Sequence, residues 1–274
     1  DIGAFEVQSP SDYFVDDIGG GTIIGGFAGD FEVFVDGDGV TGGGGGTANG
    51  ILDFGDIVTF DPAGANIAGL EFGVRAFGTI ADALTAVQGS DDFLSEVVLG
   101  PGTYTGSVTL DIFNLTLRGH TGNPNDVVIN GGGAATAISV TGDSVSLESL
   151  RVTNATTGVD VAPFSSTQAF DADNIHIDGT TTGLRVFDSI GFMDVSIQNS
   201  TITGNTGDGI NITNVGTARL RNVSSTLNGQ DGVEIVSTPI VAFDTVTVDR
   251  NSNRGLVVDG ADTIAVMDPR TSAS

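Results

Sequence analysis

The sequence predicts a right-handed parallel β-helix, a single solenoid of stacked coils that one short amphipathic helix closes at its N-terminal end. Three observations predict this fold. A glycine-anchored repeat recurs every 23 to 26 residues, apolar residues alternate after each of these glycines, and one helix-like pattern precedes the repeats. Repeats of this length form units that bury their apolar side chains only by stacking on their neighbours.

The repeat consists of a glycine followed by two apolar residues with one outward residue between them. Its spacings are 25, 26, 23 and 23 residues, with the glycines at Gly158, Gly183, Gly209, Gly232 and Gly255. An apolar residue at every second position is typical of a half-buried strand. We expect a second strand in each coil, at 115–117, 150–152, 175–177, 195–197 and 246–248. An inward apolar row is expected just before it, at Leu147, Ala172, Phe192, Leu220 and Phe243.

Asparagine recurs four residues before the repeat glycine. Its side chain tolerates left-handed turns and can hydrogen-bond the backbone of neighbouring coils. We therefore expect a single hydrogen-bonded ladder of Asn154, Asn205, Asn228 and Asn251.

A helix over 79–88 is predicted by a capping-box-like start at Thr79 and Asp82 and by one apolar face. Because an open solenoid end exposes strand edges and core, this helix is the expected N-terminal cap. The sequence thus divides into a strand-rich, glycine-rich extension over 1–76 and a β-helix over 77–274.

Two segments resemble known proteins. The run from Phe77 to Tyr104, a helix followed by VVLGPGTYTG, resembles the cap and first coil of pectate-lyase-like right-handed β-helix proteins. This superfamily contains lyases, hydrolases, phage spikes, adhesins and surface-array proteins, so the resemblance implies a fold and not an activity. The opening DIGAFE resembles a segment of large bacterial surface proteins, including those of planctomycetes. It implies a chain cut from a longer precursor, or a first strand that completes another copy's helix.

The composition is strongly acidic, with 35 acidic residues against nine arginines, no lysine and a net charge of −26. Such a surface repels nucleic acid and anionic lipid. No apolar run is long enough to insert into a membrane. We expect an exported, processed protein that is extracellular or attached to the cell surface. We also expect calcium to offset the self-repulsion, with Asp36 and Asp38 beginning a calcium-loop-like segment.

An outward row two residues after the repeat glycine contains Asp160, Arg185 and Glu234. Adjacent coils place such side chains about 4.8 Å apart. The family resemblance allows a catalytic interpretation, because β-helix lyases place a basic residue beside calcium-binding carboxylates and hydrolases need paired carboxylates. Charge pairing between neighbouring coils is the alternative that the sequence favours. A second outward row is expected to contain Thr116, Arg151, His176 and Ser196.

The preferred function is a structural subunit of an extracellular filament, sheath or cell-surface layer. The sequence leaves open whether the chain is an enzyme and favours the interpretation that it is not. One alternative is a polysaccharide lyase or hydrolase, and another is a carbohydrate-binding adhesin module, so the possible partners are other copies of the chain and a surface polysaccharide. Head-to-tail assembly is expected to add a strand of one copy to the C-terminal coil of the next, and docking of residues 1–8 onto the cap of the same chain is the alternative. The residues expected to make this contact are Ile2, Ala4, Phe5 and Val7 in the strand, and Ile264 and Val266 in the coil.

Overall fold

The computed structural model describes residues 11–15, 31–35, 57–60, 67–71, 74–89, 94–163, 169–267 and 272–273. This part of the chain contains one α-helix and 24 β-strands. Most of the strands form one continuous parallel arrangement, in which each strand pairs with its counterpart one coil earlier and one coil later. The described residues include no helix that is long and apolar enough to cross a membrane.

Each coil passes through three parallel sheets in the order A, B, C. Sheet A consists of β1 (Ser11–Val15), β5 (Ala76–Phe77), β6 (Ser95–Leu99), β9 (Leu115–Gly119), β11 (Val145–Glu148), β13 (Ala169–Asp173), β16 (Asp194–Gln198), the first halves of β19 (Thr217–Thr226) and β21 (Ile240–Asp249), and β23 (Thr263–Val266).

Sheet B follows sheet A after a tight turn. It consists of β7 (Gly102–Thr105), the first parts of β10 (Val127–Val140) and β12 (Arg151–Val161), β14 (His176–Asp178), β17 (Thr201–Thr203), the second halves of β19 and β21, and β24 (Ser272–Ala273).

Sheet C completes the coil. It consists of β8 (Val108–Leu110), the last parts of β10 and β12, β15 (Thr182–Phe187), β18 (Ile210–Thr213), β20 (Val233–Val236) and β22 (Leu256–Asp259). Because all three sheets are parallel, every inward side chain stacks on the equivalent side chain of the next coil. The predicted parallel β-helix is confirmed.

The inward rows form a continuous apolar core. In sheet A one row runs through Leu147, Ala172, Ile197, Leu220 and Phe243, each at most 1% exposed. The predicted inward position of Phe192 is wrong, since this side chain is 70% exposed in the loop before β16. The predicted second strand also combined sheet A segments, such as 195–197, with sheet B segments, such as 175–177. Both sheets share the coil period, so spacing alone could not separate them.

The repeat glycines permit a close approach between coils. A Cβ atom at Gly158, Gly183, Gly209 or Gly232 would lie 2.5 to 2.7 Å from the carbonyl oxygen of the repeat glycine in the next coil. The backbone is not left-handed at these positions. Glycine is therefore required here by the packing of one coil on the next.

The N-terminal end carries helix α1 (Ile80–Gln88), as predicted. Thr79 caps it by accepting a 3.1 Å hydrogen bond from the Asp82 amide, and the buried face is Ile80, Ala83, Leu84 and Val87. The helix packs on strands β1, β5, β6 and β8. Strand β1, within the predicted extension, pairs with β6 and so belongs to the solenoid. Strands β2 (Phe31–Val35), β3 (Ile57–Phe60) and β4 (Ile67–Glu71) form a separate antiparallel sheet.

The glycine column makes a testable prediction. Gly232→Ala should lower the free energy of unfolding by about 1 to 3 kcal/mol, because the new methyl group would meet the Asn251 amide at 2.4 Å and the Gly255 carbonyl oxygen at 2.6 Å. Gly89→Ala is the matched control, since its nearest atoms lie at 3.6 Å and its φ of −84° suits alanine. Denaturant unfolding measures both, and equal effects would contradict the packing explanation.

Candidate functional site

The predicted charged row lies on the outward face of sheet C. Residues Asp160, Arg185, Asn211 and Glu234 are in direct register in four consecutive coils. The Arg185 guanidinium donates two parallel hydrogen bonds to the Asp160 carboxylate, at 2.8 and 2.7 Å. The Arg185 side chain is 53% exposed, and the hydrogen bonds that it donates to Asp160 raise its guanidinium pKa. Asp160 and Arg185 thus form an ion pair that joins adjacent coils.

The second half of the row is joined to residues that sequence reasoning missed. Asn211 donates a 2.8 Å hydrogen bond to Glu234, while Arg254 binds the buried Asp231 at 2.6 Å and Glu234 at 3.5 Å. The hydrogen bonds from Arg254 lower the pKa of Asp231. Asp208, Asp231 and Arg254 each directly precede a repeat glycine, and this shared position is the signal that could have found them.

The arrangement of these groups determines what chemistry they can support. Asp160 and Glu234 lie three coils apart, about 14 Å at the usual strand spacing. Glycosidases hold their two carboxyl groups about 5 to 9.5 Å apart. No cluster of three or more histidine or acidic side chains placed to hold a metal occurs in the described part of the chain. The row therefore has the geometry of charge pairing between coils.

A second polar cluster lies on the outward face of sheet B. His176 is in register with Arg151 and Thr201. The predicted row was wrong to include Thr116 and Ser196, which belong to sheet A. Arg151 binds Asp178 at 2.7 Å, and the Nδ1 atom of His176 lies 3.1 Å from the Asn125 side-chain oxygen.

The loop over 120–126 covers this cluster. The Asn174 amide donates a 2.7 Å hydrogen bond to the carbonyl of Gly122, and the His176 ring contacts Asn125. Burial lowers the pKa of His176, an effect that Asp178 opposes and Arg151 reinforces. The neutral imidazole is therefore the form that the folded protein favours.

Three of the four predicted ladder residues are joined by hydrogen bonds. The Asn205 side chain donates to Asn228 at 3.0 Å, and the Asn228 side chain donates to Asn251 at 3.0 Å. The backbone amides of Asn205 and Asn228 donate to the same oxygens. Thr180 continues this series by donating a 2.7 Å bond to Asn205. Because Asn205 and Asn228 are at most 2% exposed, these bonds satisfy buried polar groups.

Asn154 lies outside this ladder, contrary to the prediction. It occupies the preceding left-handed position, with φ of 58°, and donates to Asn130 at 2.8 Å. Between sheets B and C, the coil that contains Asn154 is shorter than the coils of Asn205, Asn228 and Asn251. The position four residues before the repeat glycine therefore falls at a different place in the turn. A further left-handed series occupies the turn from sheet A to sheet B, at Ser149, Asn174, Asn199, Asn222 and Thr245.

Of the remaining predicted site residues, some lie in the described part of the chain and others do not. Asp36 and Asp38 lie outside the described residues, as does the expected donor strand with Ile2, Ala4, Phe5 and Val7. Binding of calcium therefore stays a prediction. At the C-terminal end, Ile264 and Val266 occupy inward positions of β23, in register with the buried Val241 and Phe243.

The asparagine ladder should contribute strongly to stability. Asn228→Leu should lower the free energy of unfolding by about 2 to 4 kcal/mol, because it leaves buried polar groups of neighbouring coils without partners. Asn154→Gly is the matched control and should cost less than about 1 kcal/mol, since it lies outside this ladder and glycine accepts its left-handed backbone. Urea denaturation distinguishes the two. A loss for Asn228→Leu no larger than the control would argue against the ladder.

The buried imidazole should make stability depend on pH. Because the pKa of His176 is lowered in the folded state, the unfolded chain binds a proton more readily, so stability should fall as pH drops below about 6.5. His176→Asn should remove this part of the fall in Tm between pH 7.5 and 5.5. The chain has one other histidine, His120, so the double variant His176→Asn with His120→Asn is the control. It shows whether any pH dependence that remains in His176→Asn comes from His120. An unchanged pH profile in His176→Asn would contradict the assignment.

Two solved structures match part of the chain. Pectin methylesterase PemA from Erwinia chrysanthemi is 18% identical with a TM-score of 0.41, and the match covers 64% of this chain and 63% of that one. Pectin methylesterase from Aspergillus niger is 16% identical with a TM-score of 0.31, over 65% of this chain and 86% of that one. At these TM-scores neither match supports a conclusion about this chain.

The sequence matches a protein family, although it matches no individual curated protein. No curated protein matches the chain at a significant level. Residues 132–269, half of the chain, match the family described as "Right handed beta helix region". This match agrees with the parallel coils, the glycine column and the asparagine ladder. The chain therefore belongs to the right-handed β-helix family.

Proposed function

We propose that this protein is a structural β-helix module of an extracellular assembly, in which the C-terminal coil of one copy stacks on the N-terminal end of the next. One observation carries the proposal. Two core rows of sheet A run buried through successive coils and then become exposed, with Ile264 52% and Val266 57% accessible to solvent. Exposed apolar side chains at the end of a solenoid favour association with another surface.

The strand edges support the same interface. Strand β23 pairs with β21 on one side, and no described strand pairs with its other side. At the opposite end, sheet A begins with β1 and the two-residue β5, which run in the same direction. Parallel stacking of β23 on this end of a second copy would continue the bonding that joins the coils within one chain. Such a contact does not close on itself, so it generates a filament.

The charged row supports a structural function over the enzymatic alternative. Its acidic and basic groups bind one another across coils, as Arg185 binds Asp160 and Arg254 binds Asp231. The net charge of −26 opposes contact between copies, so assembly should need salt or a divalent cation to screen the repulsion. Calcium is the cation that we propose.

Substitution in the last coil tests the proposal. The wild-type chain should form rods in calcium-containing buffer, whereas Ile264→Asp with Val266→Asp should remain monomeric, because carboxylates would replace the apolar contact. Sedimentation velocity and negative-stain microscopy measure assembly, and circular dichroism verifies the fold. Sodium chloride at equal ionic strength separates calcium binding from general screening.

Phe192→Asp provides the matched control, since Phe192 is 70% exposed but lies on the side of the solenoid. This variant should assemble like the wild type. A wild-type chain that stays monomeric at high concentration, or one that stops at a closed dimer, would refute head-to-tail stacking.

A further inference from the structure

A cleft of about 760 Å³ lies between helix α1 and the strands β7 and β8 of the first coil. Its volume is within the range of small-molecule sites in proteins, about 300 to 1,000 Å³. Four largely buried side chains contribute an apolar lining, and each keeps 6 to 8% of its surface accessible: Ile80, Leu84, Tyr104 and Val108. The Tyr104 hydroxyl donates to the Gly100 carbonyl, which fixes the ring in place.

Hydroxyl and amide groups surround this apolar lining. Thr103, Thr105 and Thr109 are exposed outward residues of the strands and line one side of the cleft. The helix contributes Ala81, Thr85 and Gln88 on the other side. A threonine hydroxyl can both donate and accept a hydrogen bond. The cleft thus combines a partly apolar surface with several groups that suit hydroxyl partners.

The charges around the cleft restrict the ligand class. No basic residue occurs among the lining residues that the structure describes, and the chain carries a net charge of −26, so an anionic ligand is disfavoured. Among the described residues of the lining, Asp111 is the one carboxylate, and it accepts a 2.7 Å hydrogen bond from Gln88. Calcium needs six to eight oxygen ligands, usually with several carboxylates, which these described residues do not provide. A wholly apolar ligand would leave the hydroxyl groups desolvated without partners.

We propose that this cleft binds a neutral saccharide across the edge of β7 and β8 that faces helix α1, with apolar C–H groups of the sugar against the inward Tyr104 and Val108 and its hydroxyls against the outward Thr103, Thr105 and Thr109. The cleft lies at the N-terminal end, which the proposed assembly also uses, so binding is measured in calcium-free buffer, where the copies are expected to stay apart. It would let a structural module hold a neutral glycan beside its N-terminal cap.

The test is a titration of the full-length chain, by isothermal calorimetry, with neutral pentasaccharides of glucose, xylose, mannose and N-acetylglucosamine. Trigalacturonate serves as the anionic comparator. At least one neutral probe should bind and trigalacturonate should not. Thr103→Val with Thr105→Val should weaken binding about tenfold, as expected for two lost hydrogen bonds. Ala81→Trp should abolish binding by filling the cleft from the exposed side of the helix.

Thr201→Val with Thr247→Val is the matched control. Both are exposed threonines of sheet B, in the same outward row as Thr103 but in later coils. This variant should bind like the wild type, and all variants should keep the wild-type Tm. The proposal is overturned if no neutral probe binds at millimolar concentration, if trigalacturonate binds more tightly, or if binding survives Ala81→Trp in a folded protein.

Discussion

Parallel hydrogen bonding between successive coils is the constraint on which the rest of the molecule depends. It holds equivalent residues about 4.8 Å apart, so the neighbour of each side chain is the residue at the same position one coil later. The repeat glycines satisfy this constraint sterically, since each α-carbon faces the carbonyl oxygen of the next. Asn228 satisfies it chemically, because its amide both accepts from the previous coil and donates to the following one. The core rows satisfy it by burying apolar side chains on their own equivalents.

The same constraint explains how so acidic a chain can fold. In the part of the chain that the structure describes, five arginine–carboxylate pairs join residues that are 22 to 27 positions apart in sequence, and each pair bridges coils: Arg118 with Glu96, Arg151 with Asp178, Arg185 with Asp160, Arg219 with Asp194, and Arg254 with Asp231. Exposed pairs contribute little individually, up to about 1 kcal/mol. The position of these pairs matters more, because each arginine lies where the stacking of the coils brings acidic side chains close to one another. Charged rows in a solenoid are thus weak evidence for catalysis.

Much of the fold could be predicted from the sequence, because glycine spacing and alternating apolar residues report directly on coil stacking. The capping residues of α1 were also visible. The errors have one physical cause. All three sheets share the coil period, so spacing could not show that Phe192 lies in a loop or that Asn154 occupies a left-handed turn outside the ladder. The pairing of Asp231 with Arg254 was missed because both residues directly precede a repeat glycine, a position that the predicted outward row did not include.

The corners of the coil accept changes in length. In the five coils from Leu147 to Phe243, five residues separate the inward positions of sheets A and B, but the interval is twelve residues from Leu117 to Ile129, where the loop over 120–126 is inserted. Between sheets C and A the interval varies from five residues at Val140 to Val145 to nine at Val186 to Val195. In the longer version, the buried Asp188 carboxylate accepts three backbone amide bonds and shapes the protruding loop. Insertions at that corner alter no strand register, so divergence or peptide grafting can proceed there while the solenoid stays intact.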